Sequence, residues 1–105
     1  MTLAKTEIDI QLILSSTRAL LGEIVPCLRS VSVEIHDHTI VWQCLFDSDA
    51  TEDDFELLSA ASAEIIADFN DYDLEEIIKC VPFPEQMENL KNLIYLRHEN
   101  NYWKH

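Results

Sequence analysis

The sequence predicts an α+β fold: one small domain with the element order α-β-β-α-β and an antiparallel sheet with its helices packed on one face. Two segments, 6–21 and 51–69, repeat apolar residues at the spacing of an amphipathic helix. Two others, 28–35 and 40–46, place apolar residues at every second position, as strands do. A chain of 105 residues with 48% hydrophobic content suits one domain, 1–105, with its own core.

The first helix is predicted from about Thr6 to Leu21 and is expected to end at Gly22, because a helix C-terminus favours a left-handed residue. Pro26 then prevents the helix from resuming. The side expected to face the core carries most of the apolar residues: Ile10, Ile13, Leu14, Thr17, Leu20 and Leu21. The opposite side, expected to face solvent, carries Gln11, Ser15 and Arg18.

Two strands are predicted next, Leu28 to Ile35 and Ile40 to Phe46, and a third runs from Leu74 to Val81, where a proline ends it. The polar link 36–39 between the first two strands suits a hairpin turn, although it lacks the favoured Asn-Gly or Asp-Gly pair. From Glu85 onward the apolar positions fit a short helix and a last strand equally well, and both remain open.

The second helix has the clearest signals of any element. Thr51 can cap its first turn, with Asp54 three residues on in a capping-box position. The side expected to face the core carries Phe55, Leu58, Ser62, Ile65 and Phe69. The side expected to face solvent carries Asp53, Glu56, Ala60, Glu64 and Asp68. Carboxylates at this spacing without lysines destabilise a helix, so the apolar side must supply its stability.

Acidic residues are segregated along the chain. From Ser30 to Ile78 there is no lysine or arginine, but there are 14 carboxylates. The remainder has six acids and seven bases, so the formal net charge of −13 is the sum of −14 from the middle and +1 from the ends. Charge of one sign costs self-repulsion, and a charge kept only for solubility would be interspersed with lysines. A basic partner is the simplest explanation.

The composition also excludes partners and locations. Binding to nucleic acid or to an anionic membrane relies on Lys and Arg, and the chain has only seven such residues with no basic cluster. No apolar run approaches the roughly 18 residues of a membrane span, and no signal peptide is recognisable, so a cytoplasmic location is expected. The three cysteines, Cys27, Cys44 and Cys80, are widely spaced among apolar neighbours, which predicts free buried thiols.

One segment suggests catalysis. A hydrophobic strand followed by Asp47-Ser48-Asp49-Ala50-Thr51 resembles the nucleophile motif of haloacid-dehalogenase-like phosphatases, in which the first Asp attacks phosphorus and the second is the acid and base. Such enzymes also need a parallel doubly wound sheet and a downstream lysine, whereas this motif follows a hairpin and the next lysine is Lys79. A small Mg²⁺-dependent phosphatase that uses Asp47 and Asp49 remains a less favoured alternative, because the sequence around the motif does not fit such an enzyme.

Two patterns resemble metal sites in part. The segment from Asp47 begins like a calcium loop, but it has Glu52 where that loop needs Gly and Leu58 where it needs a chelating Glu. His36 and His38 have a spacing that some zinc sites use, but they are expected in an exposed turn without a third ligand. We therefore expect no metal, no cofactor and no catalytic residues.

Four segments, spread over about 20–99, resemble small bacterial immunity proteins of contact-dependent growth inhibition and related polymorphic toxin systems. They are Leu21 to Val33 (LGEIVPCLRSVSV), the Phe46-Asp47 pair, Glu64 to Phe69 (EIIADF) and Tyr95 to Glu99 (YLRHE). The resemblance implies a non-enzymatic inhibitor that neutralises a cognate toxin domain in the cytosol of the producing cell. Such toxins are commonly nucleases that cut tRNA or DNA in a basic channel.

The resemblance carries over no binding residues, so the binding site is predicted from charge alone. The predicted partner-binding residues are Asp47, Asp49, Glu52, Asp53, Glu56, Asp68, Asp71, Asp73 and Glu75. Aromatic side chains at Tyr72, Tyr102 and Trp103 could add contacts of high energy. A generic acidic adaptor, or a subunit of a larger assembly, remains as an alternative to the inhibitor.

Overall fold

The periodicity of the sequence becomes two helices and four strands in the computed structural model, which describes residues 6–99. The elements, in chain order, are α1 (Glu7–Ala19), β1 (Leu28–His36), β2 (Thr39–Phe46), α2 (Glu52–Asp68), β3 (Asp73–Cys80) and β4 (Asn92–Leu96). The predicted element order of a small α+β domain is confirmed. The choice left open in the tail is resolved in favour of a strand, because β4 pairs with β1.

The four strands form one sheet in the order β3-β2-β1-β4. The predicted antiparallel arrangement holds for β1 with β2 and for β1 with β4, but β3 runs parallel to β2. The reason is the crossover through α2, which returns the chain to the end of the sheet where β2 begins, so that Asp73 pairs with Thr39.

The predicted hairpin between β1 and β2 is confirmed, and its turn is shorter than the four-residue polar link. His36 pairs with Thr39, and the two residues between them form the turn. Asp37 has a φ of 57°, in the left-handed region that Asp tolerates better than most residues. The polar Asp thus serves where the favoured turns would have Asn or Gly.

The core lies between the helices and one face of the sheet. That face carries Val31, Val33, Ile40, Trp42, Cys44 and Phe46, all fully buried. The predicted inward side of α2 is confirmed, with Leu58 and Ile65 fully buried against this face. The Trp42 indole N–H donates to the Leu58 carbonyl oxygen at 3.2 Å, so the largest core side chain has its polar atom paired.

The prediction of which side of α1 faces the core is wrong within the helix, although Leu20, which caps it, is buried as predicted. The helix buries Asp9, Leu12, Ser15, Ser16 and Ala19, and it leaves Ile10 and Leu14 exposed. Small serine and alanine side chains let α1 approach its neighbours closely. Two of the three buried polar side chains have partners. Asp9 accepts from the Lys91 ammonium at 2.8 Å and from Thr6 in a capping box, and the Ser15 hydroxyl donates to Asp68, whereas the buried Ser16 hydroxyl has no hydrogen-bond partner within the described residues. Polar contacts therefore favour the observed orientation of α1, which the spacing of its apolar residues did not predict.

The second face of the sheet is covered by residues 81–91, which we call the strap. Ser30, Ser32 and Gln43 are buried on this face. The Ser30 hydroxyl donates to Asn89 Oδ1 at 2.7 Å, and the Gln43 amide donates to the Glu88 carbonyl oxygen at 2.8 Å. Hydrogen bonds thus hold an irregular segment where the helices do not reach.

All three cysteines lie within residues 6–99 and are free thiols. Cys27 and Cys44 are buried as predicted. Cys80 is exposed, which corrects that part of the prediction, because it ends the edge strand β3. Neither helix in this described range is long and apolar enough to cross a membrane.

A buried ion pair fixes the end of the described chain. The Arg29 guanidinium donates to both carboxylate oxygens of Glu99, at 2.7 and 2.8 Å, and neither side chain is more than 3% exposed. Arg29 also donates to the carbonyl oxygens of Val81 and Glu85 in the strap. One side chain of β1 therefore holds both the strap and the segment after β4.

Replacing Arg29 with Met should lower the free energy of unfolding by about 3 kcal/mol or more. The buried Glu99 carboxylate loses both hydrogen bonds from Arg29, and the carbonyl oxygens of Val81 and Glu85 lose theirs. Arg18→Met is the matched control. Its pair with Asp68 is exposed, at 69% and 49% of the two side chains, and should be worth at most about 1 kcal/mol. Urea unfolding measures both values, and equally small losses would contradict this account.

Candidate functional site

The predicted partner-binding carboxylates lie in two groups at opposite ends of α2. The first group precedes the helix or lies in its first turns: Asp47, Asp49, Glu52, Asp53 and Glu56. The second group lies at its last residue and beyond: Asp68, Asp71, Asp73 and Glu75. A helix of 17 residues is about 25 Å long, so the two groups are well separated.

The outward side of α2 connects the two groups. Its exposed carboxylates, which we call the acidic ridge, are Glu52, Asp53, Glu56, Glu64 and Asp68. Because successive residues turn by about 100°, all five lie within one half of the helix circumference. No lysine or arginine occurs in α2. Glu64 was not among the predicted binding residues, although helical spacing had already assigned it to the outward side.

The first turn of α2 is held by its own side chains. The Asp54 carboxylate accepts from the Thr51 backbone N–H at 2.9 Å, and the Thr51 hydroxyl accepts from the Asp54 N–H, which completes the predicted capping box. The Cys27 thiol donates to Asp54 at 3.3 Å. Burial and this carboxylate raise the pKa of Cys27 to about 11, so the thiol stays protonated. Asp54 is therefore a capping residue, while its neighbours Glu52 and Asp53 face solvent.

The other end of the acidic ridge contacts α1. Asp68 accepts from the Ser15 hydroxyl at 2.7 Å and from the Arg18 guanidinium at 3.2 Å, and these bonds lower the pKa of its carboxyl. A cleft between the helices is lined by Leu14, Arg18 and Phe69 together with Asp68. The last carboxylate of the acidic ridge thus borders an apolar side chain of α1.

Beyond α2 the predicted residues diverge. Asp71 and Asp73 are exposed near the start of β3. Glu75 pairs in register with Val41, which places its side chain on the strap face of the sheet, away from α2. Glu76 points to the helix side instead and accepts from the Ser62 hydroxyl at 3.0 Å. Asp71 therefore follows the end of the acidic ridge closely along the chain, whereas Glu75, and Asp73 two residues before it in β3, lie on the opposite face of the sheet.

Asp47 belongs to an internal network. Its carboxylate accepts from Arg97 at 2.8 Å and from the Phe83 backbone N–H at 3.1 Å. Arg97 also donates to Glu99 at 3.0 Å, so the network continues to the buried pair with Arg29. The Arg97 hydrogen bond lowers the pKa of Asp47 from 3.8 to about 2. Sequence reasoning missed this contact because the spacing of two residues 50 positions apart gives no local signal.

The strand directions and the contacts of Asp47 argue against the phosphatase alternative. The sheet has one parallel pair of strands, not the parallel doubly wound sheet that a dehalogenase-like phosphatase needs. Asp47, the nucleophile in that hypothesis, is bound to Arg97. His36, the last residue of β1, and His38, in the hairpin turn, are both exposed. No cluster of three or more metal-ligating side chains occurs within residues 6–99.

Positive charge within residues 6–99 is mostly engaged in the fold. Five cationic residues lie in this range: Arg18, Arg29, Lys79, Lys91 and Arg97. All except Lys79 form ion pairs with carboxylates of this same chain. The acidic ridge therefore meets solvent with Arg18 as its one adjoining cation among these described residues.

The model of the MafI2 immunity protein family matches residues 9–99, a range that contains α2, all four strands and most of α1. The chain belongs to this family. As a MafI2 immunity protein it acts in a toxin system, with a cognate toxin as its partner. Immunity proteins are in general not enzymes. A search of curated proteins found no match to the chain.

Of the aromatic residues expected to add contacts, Tyr72 is half-buried, while Tyr102 and Trp103 lie outside the described residues.

Lowering the pH should remove the stability that Asp47 contributes. Its folded pKa is depressed, so the contribution is fully present above pH 3.8 and is lost as the pH falls toward about 2. Asp47→Asn should cost roughly 2 kcal/mol near neutral pH, and the difference from the natural protein should shrink in acid. Urea unfolding at a series of pH values measures this difference, and a constant difference would contradict the assignment.

Proposed function

We propose that this MafI2 immunity protein neutralises a basic nuclease toxin by binding it through the acidic ridge and the carboxylates next to it. The observation that carries the proposal is the exposed outward side of α2, with five carboxylates and no lysine or arginine in the helix. The toxin system is of the contact-dependent or a related polymorphic kind, and the complex forms in the cytoplasm of the producing cell.

The chemistry of a nuclease supports a basic partner surface. An enzyme that holds a polyphosphate chain must line its channel with lysine and arginine. Exposed carboxylates accept short, charge-assisted hydrogen bonds from these side chains. The net charge of −13 also attracts a cationic protein from a distance, which speeds association. Fast capture matters for an inhibitor that must act before the toxin reaches its substrate.

The predicted partner-binding residues differ in whether their carboxylates are exposed to a partner or bound within the chain. Eight of them have exposed positions: Asp49, Glu52, Asp53, Glu56, Asp68, Asp71, Asp73 and Glu75. Asp73 and Glu75 lie on the strap face of the sheet, away from the acidic ridge, and the other six are proposed as partner-binding residues. Glu64 joins them as a member of the acidic ridge. Asp47 is instead proposed to support the site from within, because Arg97 and a backbone N–H already occupy its carboxylate. Inhibition is then a binding event, with no catalysed step and no cofactor.

Reversing Glu56 and Glu64 to Lys should abolish protection without unfolding the protein. Each new lysine lies four residues from a retained carboxylate, Glu52 or Asp68, so the pairs should stabilise α2 by about 0.2–0.5 kcal/mol each, with the Glu52 pair the better oriented of the two. Binding to the purified toxin domain encoded by the neighbouring open reading frame should weaken at least tenfold and lose much of its salt dependence. Calorimetry at several salt concentrations, together with survival of cells that express the toxin, measures this.

The matched control reverses Glu85 and Glu88, two exposed strap residues on the other face of the sheet. Each double reversal adds four charges and takes the formal net charge from −13 to −9. If binding depended on net charge alone, both pairs would weaken it equally. If the Glu56→Lys, Glu64→Lys protein protected as the natural protein does, the acidic ridge would not be the binding surface.

A further inference from the structure

The three most exposed large apolar side chains within residues 6–99 lie on one side of α1 and the turn that follows it. Leu21 is 73% exposed, Leu14 62% and Ile10 49%. Leu20 retains helical backbone geometry, so Leu21 continues the line that Ile10 and Leu14 begin. We call these three residues the α1 stripe. It points away from the side of α1 that Leu12 and Ala19 pack into the core.

The α1 stripe and the acidic ridge belong to one surface. Both helices pack on the same face of the sheet, so their outward sides point in the same direction. Leu14 lines a cleft with Asp68, the last carboxylate of the acidic ridge, and Arg18 joins these two helices. An apolar area is thus bordered on its α2 side by negative charge.

We propose that the α1 stripe is the apolar anchor of the toxin-binding surface. This inference rests on the proposed function and adds the kind of toxin surface that fits: an apolar patch with lysine or arginine along one border. The apolar patch covers Leu14 and Leu21, and the basic border meets the acidic ridge. Interfaces commonly combine a desolvated apolar centre of high energy with a polar border.

Charge argues against a second copy of this chain as the occupant. A stable interface buries about 800 Å² on each partner, more than three side chains provide, so it would extend onto α2. In a two-fold dimer the same surface meets itself. Glu64 and Asp68 of one copy would then approach those of the other, in two molecules that each carry a net charge of −13. A basic partner removes this repulsion.

The test replaces Leu14 and Leu21 with Gln; at Leu14, within α1, Gln has nearly the same helix propensity as Leu. The dissociation constant for the purified toxin domain of the neighbouring open reading frame should rise at least tenfold, with the salt dependence unchanged. The thermal midpoint and the monomeric mass in sedimentation should match those of the natural protein. The control is Leu93→Gln: Leu93 is 47% exposed but pairs with Ser32 on the strap face, and its replacement should leave binding unchanged.

Four outcomes would overturn the proposal. If the Leu14→Gln, Leu21→Gln protein binds normally while the Glu56→Lys, Glu64→Lys protein does not, the anchor is wrong and the proposed function stands. If both bind normally, the proposed function fails as well. A dimer that dissociates on the leucine replacement with affinity retained identifies a second copy as the occupant. A lower thermal midpoint with affinity retained shows that the chain covers the stripe itself.

Discussion

The chain of ion pairs from Arg29 through Glu99 and Arg97 to Asp47 is the constraint on which the arrangement of this protein depends. It joins β1, the segment after β4, the strap and the loop that leads into α2, four parts that no single sheet or helix connects. Because the loop begins at Asp47, the network anchors the segment that leads to α2, while the capping box at Thr51 and Asp54 marks where the helix starts. The packing of Leu58 and Ile65 on the sheet then turns the acidic ridge outward.

Within this frame, α2 is stabilised against its own charge by three separate means. The capping box at Thr51 and Asp54 satisfies backbone donors, and the carboxylates of the first turn interact favourably with the helix dipole. At the opposite end, where that dipole disfavours a carboxylate, Asp68 is bound by Ser15 and Arg18 of α1. The buried side supplies the rest through Leu58 and Ile65. The outward side thus has a structural role only at its two ends, through the carboxylates of the first turn and through Asp68.

The sequence predicted what depends on local periodicity, and it failed where distant contacts decide. Both sides of α2 followed from helical spacing, since its apolar and charged residues separate cleanly. In α1 the same rule chose the wrong side, because Asp9 and Ser15 are buried with partners that lie far along the chain, Lys91 and Asp68. The acidic surface was predictable as a set of carboxylates. The removal of Asp47 from that set was not, since it depends on Arg97, 50 residues away.

The reversed orientation of α1 gives the surface something that charge cannot supply. A carboxylate array attracts every cationic protein in the cell, and its attraction weakens as salt rises. Apolar contact depends on shape, and it governs mainly how slowly a complex dissociates. A fold that turned Leu14 and Leu21 inward would gain roughly 1.5–3 kcal/mol for each side chain fully buried. Leaving them outward beside Asp68 forgoes that stability. Under the proposed function, this apolar area is where the cognate toxin would be distinguished from other basic proteins.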